Sequence, residues 1–178
     1  MPERLTASDI VELWKTAIEV EQHFNTIEMT VRNIFATIVI ALIAGVGYSL
    51  KENIELAHSI SFAPLVCLAA IFITALFYFV DRYWYHPLLV GSVIEATRLE
   101  EEISKISDVS IKLSKQISDK SPVRLPKWLE PIALKFIMEK RFQENRKLHS
   151  DGKIELFYKS IMIMFATLAV ITLVTSVA

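Results

Sequence analysis

The chain has 178 residues, a formal net charge of −1, 53% hydrophobic residues and a single cysteine. Its length alone suits one soluble domain, but three windows hold no Asp, Glu, Lys, Arg or His at all: 34–50, 61–80 and 160–178. Each is long enough to cross the hydrocarbon core as a helix, which excludes an ordinary soluble fold and predicts three transmembrane spans.

The opening MPERLTASD has no apolar run behind a basic end, so it reads without a cleaved secretory signal, and the spans themselves do the targeting. Thr6 or Ser8 suits a helix N-cap, with Asp9 and Glu12 in the first turn. From there Ile10, Leu13, Trp14, Ala17, Val20, Phe24, Ile27, Val31 and Ile34 follow one another as an apolar seam, which predicts a single helix over about 8–50. Residues 1–33 are expected to project from the membrane and 34–50 to cross it. Glu28 and Arg32, one turn apart, read as an exposed helix pair worth a few tenths of a kcal/mol. A second stripe, Thr26, Thr30, Asn33, Thr37, Ala41, Ala44 and Tyr48, sets polar and small side chains along one face. Unpaired amides in lipid are costly, so this face is expected to meet other helices or water. Ala41 and Gly45 form a small-xxx-small pair, so the stripe is either a helix-packing face or the wall of a pore built from several copies.

A short loop over 51–60 leads to the second span, 61–80, with Pro64 in its first turn. The aromatic cluster Phe77, Tyr78, Phe79, Tyr83, Trp84 and Tyr85 marks a membrane surface. Past Pro87, Leu89, Val93, Ala96, Ile103, Ile106, Leu113 and Ile117 predict one long amphipathic helix over about 88–120, paired with the N-terminal helix as a stalk. Ser104, Ser107, Ser114 and Ser118 lie off that seam. The prolines of SPVRLPKWLEP break the pattern over 121–131, and an amphipathic basic helix is expected over about 129–148, either in the membrane interface or on the stalk. His149 to Gly152 reads as a turn before the third span, 160–178. Basic residues crowd the long segment 81–159, whereas the 51–60 loop has Lys51 alone. The positive-inside rule therefore puts the N-terminus and 81–159 in the cytosol, and the loop and the C-terminus outside. The expected fold is an all-α membrane protein, three transmembrane helices with a long helical cytosolic stalk, as a homo-oligomer.

No catalytic constellation is present, no phosphate-cradling glycine loop and no H-E-x-x-H, so no enzyme, cofactor or metal site is expected. His23, His58, His86 and His149 have no metal spacing and read as surface or interfacial residues. The one cluster suited to a ligand is Lys140, Arg141, Arg146 and Lys147, in a run that also holds Arg124, Lys127 and Lys135. Its charge fits a nucleotide or oligonucleotide phosphate, or anionic headgroups, and the positive-inside bias alone also places bases there.

VEQHFNTIE in a long N-terminal helix, two spans joined by a tiny loop, FYFVDRYWYH, and a helical extension together resemble the SLATT-like small bacterial membrane effectors of nucleotide-signalling anti-phage defence. The resemblance covers the first hundred residues or so, and the third span is an addition to it. It implies an oligomeric pore in the bacterial inner membrane that depolarises or permeabilises the cell. It also implies control by a nucleotide-type signal from a partner nucleotidyltransferase. The other reading of the residues is a non-conducting membrane scaffold that recruits a partner protein through its coiled-coil-like helices.

Overall fold

A computed structural model describes residues 6–56, 61–106 and 110–177. His58 and Ser107, singled out above, lie outside the described residues. The first helix, α1, runs unbroken over Ala7–Lys51. Thr6 is its N-cap: its hydroxyl accepts from the Asp9 amide at 3.3 Å while Asp9 Oδ2 accepts from the Thr6 amide at 2.8 Å. This reciprocal box satisfies two of the amides that a helix start leaves open. At 1.5 Å per residue α1 is roughly 67 Å long, about twice a bilayer core.

The chain reverses after α1 through Asn53, which sits at a φ of 48°, and an isolated bridge between Glu55 and Ser61. Helix α2, Ala63–Phe79, then passes into a π-helical turn, Val80–Tyr85, and on into α3, His86–Ile106. The amphipathic helix was expected only past Pro87, yet the helix runs on from the span through Pro87. Proline has no amide to donate to the preceding turn, and the wider π turn, closed by the His86 amide on the Asp81 carbonyl, absorbs the defect. The turn also brings Asp81 and His86 to the same side.

Ala63, Cys67, Ala70 and Thr74 recur at spacings of three and four along α2, and all are buried. Small side chains there let α2 lie close to both α1 and the last helix, α7, Ser150–Val177. Val46 of α1 and Phe165 of α7 complete this core. Near the start of the spans Phe35, Ile154 and Tyr158 form a second cluster, with the Phe35 ring 4.9 Å from that of Tyr158 and 5.2 Å from that of Phe77. Thus α1, the α2–α3 rod and α7 are each long and apolar enough to span a membrane.

Beyond the spans, α3 packs along the N-terminal half of α1. The long helix expected over 88–120 is two helices: α3 ends at Ile106 and α4 covers Leu113–Lys120. The seam explains the split, because Glu100 occupies an apolar position and its buried carboxylate accepts the Ser114 amide at 2.7 Å. An acid from α3 thus caps the open amides of α4. Trp14 Nε1 also donates to Glu100, at 3.4 Å.

The single basic helix expected over 129–148 is also two, α5 (Glu130–Phe136) and α6 (Lys140–Asn145). Helix propagation stops because the Met138 amide donates to Glu155 of α7 at 2.9 Å, and the Gln143 side chain donates to the carbonyls of Leu134 and Ile137. Within the proline-rich stretch, β1 (Val123–Arg124) pairs antiparallel with β2 (Lys147–Leu148), a ribbon not foreseen from sequence. Ala133, Ile137, Phe142 and Leu148 close a small core beneath it. The turn expected at 149–152 is instead the first turn of α7.

Candidate functional site

Two faces of α1 hold the chemistry. The inward face carries Glu28 and Arg32 just before the charge-free window of α1, and Asp81 follows directly after the window of α2. Antiparallel helices bring these positions to one level. Arg32 Nε donates to Asp81 Oδ2 at 2.8 Å, and its Nη2 reaches Asp81 Oδ1 at 3.0 Å and Glu28 Oε2 at 2.7 Å. Tyr158 of α7 donates to Asp81 Oδ2 at 3.0 Å. His86 Nδ1 lies 3.1 Å from Glu28 Oε1. Its Nε2 is 2.9 Å from Asp151 Oδ1, an ion-pair contact outside hydrogen-bond geometry, and Arg82 donates to that oxygen at 2.8 Å.

Asp81 is fully buried, and Glu28 and His86 are nearly so. Charges removed from water persist only when paired, and this network pairs them across α1, the π turn, α3 and α7. Burial pulls the His86 pKa down, but the Asp151 and Glu28 carboxylates outweigh it and raise it to about 9. Asp151 is held below its ordinary value, chiefly by His86, with Arg82 and Arg141 adding to the effect. Two expectations are corrected here. Glu28 and Arg32 are not an exposed pair, and His86 is not a surface residue. The signal available in sequence was position: a carboxylate and a guanidinium flank the two windows at the same end.

The outward face is the stripe. Thr26, Thr30, Asn33, Thr37, Ala41, Ala44 and Tyr48 are all exposed, on the side of α1 opposite Glu28, Phe35 and Val46. They are therefore not a packing face within the chain. The hydroxyls of Thr26, Thr30 and Thr37 donate to carbonyls one turn back, at 2.8, 2.8 and 3.1 Å. Asn33 has no such outlet, and its carboxamide makes no hydrogen bond among the described residues.

The basic cluster lies at the corner of α6 and β2. Lys140, Arg141, Arg146 and Lys147 are exposed, and Arg146 adopts the left-handed conformation that ends α6. The ribbon sets Arg124 opposite Lys147. Arg141 acts on Asp151, so this corner is electrostatically linked to the buried network. Among the described residues no group of three or more His, Cys, Asp or Glu side chains is placed to hold a metal ion. Comparison with protein families, with curated proteins and with solved structures finds no match to this chain.

Proposed function

We propose that this chain is a homo-oligomeric membrane channel in which the outward face of α1 meets the conducting path. One observation carries the reading: along α1 a stripe of polar and small side chains from Thr26 to Tyr48 faces away from the chain's own core, and among the described residues nothing bonds to the Asn33 carboxamide. Asn33 stands where α1 enters the bilayer, and an amide left unpaired in hydrocarbon costs several kcal/mol, roughly 2–7 by transfer scales, so this edge of the stripe favours a neighbouring copy or water beside it. Three spans enclose little water by themselves, and a ring of copies supplies the rest. The basic residues of 81–159 orient the N-terminus and that segment toward the cytosol of a bacterial inner membrane.

Gating by a nucleotide-type signal belongs to this reading through the SLATT resemblance, with antiviral defence as the setting. The Lys140, Arg141, Arg146 and Lys147 corner is its seat. A phosphate drawn to Arg141 competes with Asp151 and so acts on the ion pairs that join the three spans.

The test is ion flux through purified protein in liposomes, with and without nucleotides or short oligonucleotides. Wild type conducts, and Asn33→Leu with Thr37→Leu loses flux while still assembling. Full flux from the assembled double variant excludes this face as the channel wall. A second reading, a non-conducting scaffold that recruits a partner protein, is favoured by the three threonine hydroxyls that satisfy themselves on their own helix. Absence of flux from correctly inserted oligomers, with a partner captured through α1 and α3, selects it.

A further inference from the structure

The lobe between β1 and α7 turns large apolar side chains outward. Trp128 is 72% exposed and Met138 80% exposed, and Ile132 and Phe136, four residues apart on one face of α5, are 49% and 40% exposed. Lys135 shares that face and Lys127 adjoins it, both exposed. The lobe has its own core on the other side, where Ala133 and Ile137 are buried, so the outward residues are not a core left open. Four large exposed apolar side chains on and beside one short helix, with two lysines among them, call for an occupant.

Where the patch sits identifies that occupant. Lys159 of α7 donates to the Phe136 carbonyl at 2.7 Å, and Glu155 accepts the Met138 amide at 2.9 Å. These residues immediately precede the charge-free window that opens at Ser160. At 1.5 Å per residue, Phe136 and Met138 are tied within roughly 8 Å of the start of the span along the α7 axis. Phe157 of α7 is 40% exposed, and Tyr83 and Trp84, just past the α2 window, are each 62% exposed. Aromatic rings on two elements thus gather near the ends of the spans where a bilayer presents its headgroups.

We propose that the face formed by Trp128, Ile132, Phe136 and Met138 lies in the headgroup layer as a membrane-surface anchor, with Lys127 and Lys135 taking anionic lipid phosphates. Apolar side chains a few ångströms below the phosphates, with basic residues beside them, match an in-plane interfacial element. The inference rests on the reading of α1, α2 and α7 as membrane spans. It assigns the lobe to lipid and not to a second copy.

The experiment places an environment-sensitive fluorophore on the full chain in liposomes, in a Cys67→Ala background, at Met138→Cys, at Gln116→Cys on α4, or at Ile171→Cys on α7. The label at 138 is expected to be blue-shifted, several-fold less quenched by aqueous iodide than the label at 116, and quenched by a shallow lipid-borne quencher. The label at 171 is expected to answer only to a deep lipid quencher. Replacing phosphatidylcholine by mixtures with phosphatidylglycerol favours the docked state of wild type by roughly fivefold for each lysine, a preference lost in Lys127→Gln with Lys135→Gln. Aqueous quenching at 138 equal to that at 116, with 171 still in lipid, overturns the anchor and leaves the spans intact. Protection at 138 from both quenchers means that protein covers the face, which also overturns it. Aqueous access at 171 overturns the spans and the anchor together.

Discussion

The two faces of α1 share one backbone and one cap but differ in what they touch. Toward the chain, Glu28, Arg32, Phe35 and Val46 meet partners from the α2–α3 rod and α7, and every charge among them is paired. Away from the chain, the stripe from Thr26 to Tyr48 is exposed, and among the described residues the Asn33 carboxamide and the Tyr48 hydroxyl make no hydrogen bond. The inward face therefore governs whether one copy holds together. In the proposed channel, the outward face governs what that copy does with others.

The sharpest break in this comparison is Asp81→Ala. It removes the acceptor shared by Arg32 and Tyr158 and leaves a guanidinium without its main partner, at a cost of about 3–5 kcal/mol. Thermal unfolding in detergent should show the loss. Asn33→Leu with Thr37→Leu, in the same assay, should move stability by no more than about 0.5 kcal/mol, because neither side chain bonds to another element. Equal destabilisation of both variants would erase the distinction between the faces. Phe35→Ala extends the test to packing, since its ring sits fully buried among Phe77, Phe157 and Tyr158. About 3–5 kcal/mol is expected there, and little for Ile40→Ala, where the side chain is 68% exposed on the outward side.

How much of this was legible in sequence follows from the range of the interactions. The three spans and the course of α1 rest on charge-free windows and a 3.6-residue period, both local signals that a bilayer enforces strongly. What local patterns missed was made by distant partners. Glu28 and Arg32 looked like a surface pair because Asp81 and His86 lie some fifty residues away. The helices expected over 88–120 and 129–148 break where carboxylates from other elements, Glu100 and Glu155, claim backbone amides. Pro87 stood just ahead of the expected amphipathic helix, and the π turn that absorbs it has no simple pattern. The outward stripe was readable as a face, but nothing within one copy sets what it meets.

Gly152 offers a smaller test of the inward side. A Cβ added there would fall 2.3 Å from Glu139 Oε2 and 2.7 Å from Leu148 Cδ1 in the first turn of α7. Leu148 is buried in the small core beneath the ribbon, so its side chain has little room to give way. Gly152→Ala should cost about 1–3 kcal/mol by overpacking and loosen the α6–α7 corner, read by hydrogen exchange of α6 amides. An unchanged exchange pattern would show that the corner adjusts freely.

A further expected effect concerns the charge on His86, and its sign distinguishes a paired cation from a neutral buried ring. The folded pKa, about 9, lies above the ordinary value of 6.5. The protonated ring between Glu28 and Asp151 therefore contributes stability that is fully present below about pH 6.5 and is lost as pH rises through about 9. Stability of wild type, measured by thermal unfolding across that window, should fall relative to His86→Gln. The glutamine keeps a donor near Glu28 but does not titrate, so its profile should be flatter. A parallel decline in the two proteins would mean that His86 sits neutral in the network. Arg82 and Arg141 would then act on Asp151, and the buried Glu28 and Asp81 would share Arg32 alone, two carboxylates against one cation. That imbalance is the physical reason to expect the imidazolium.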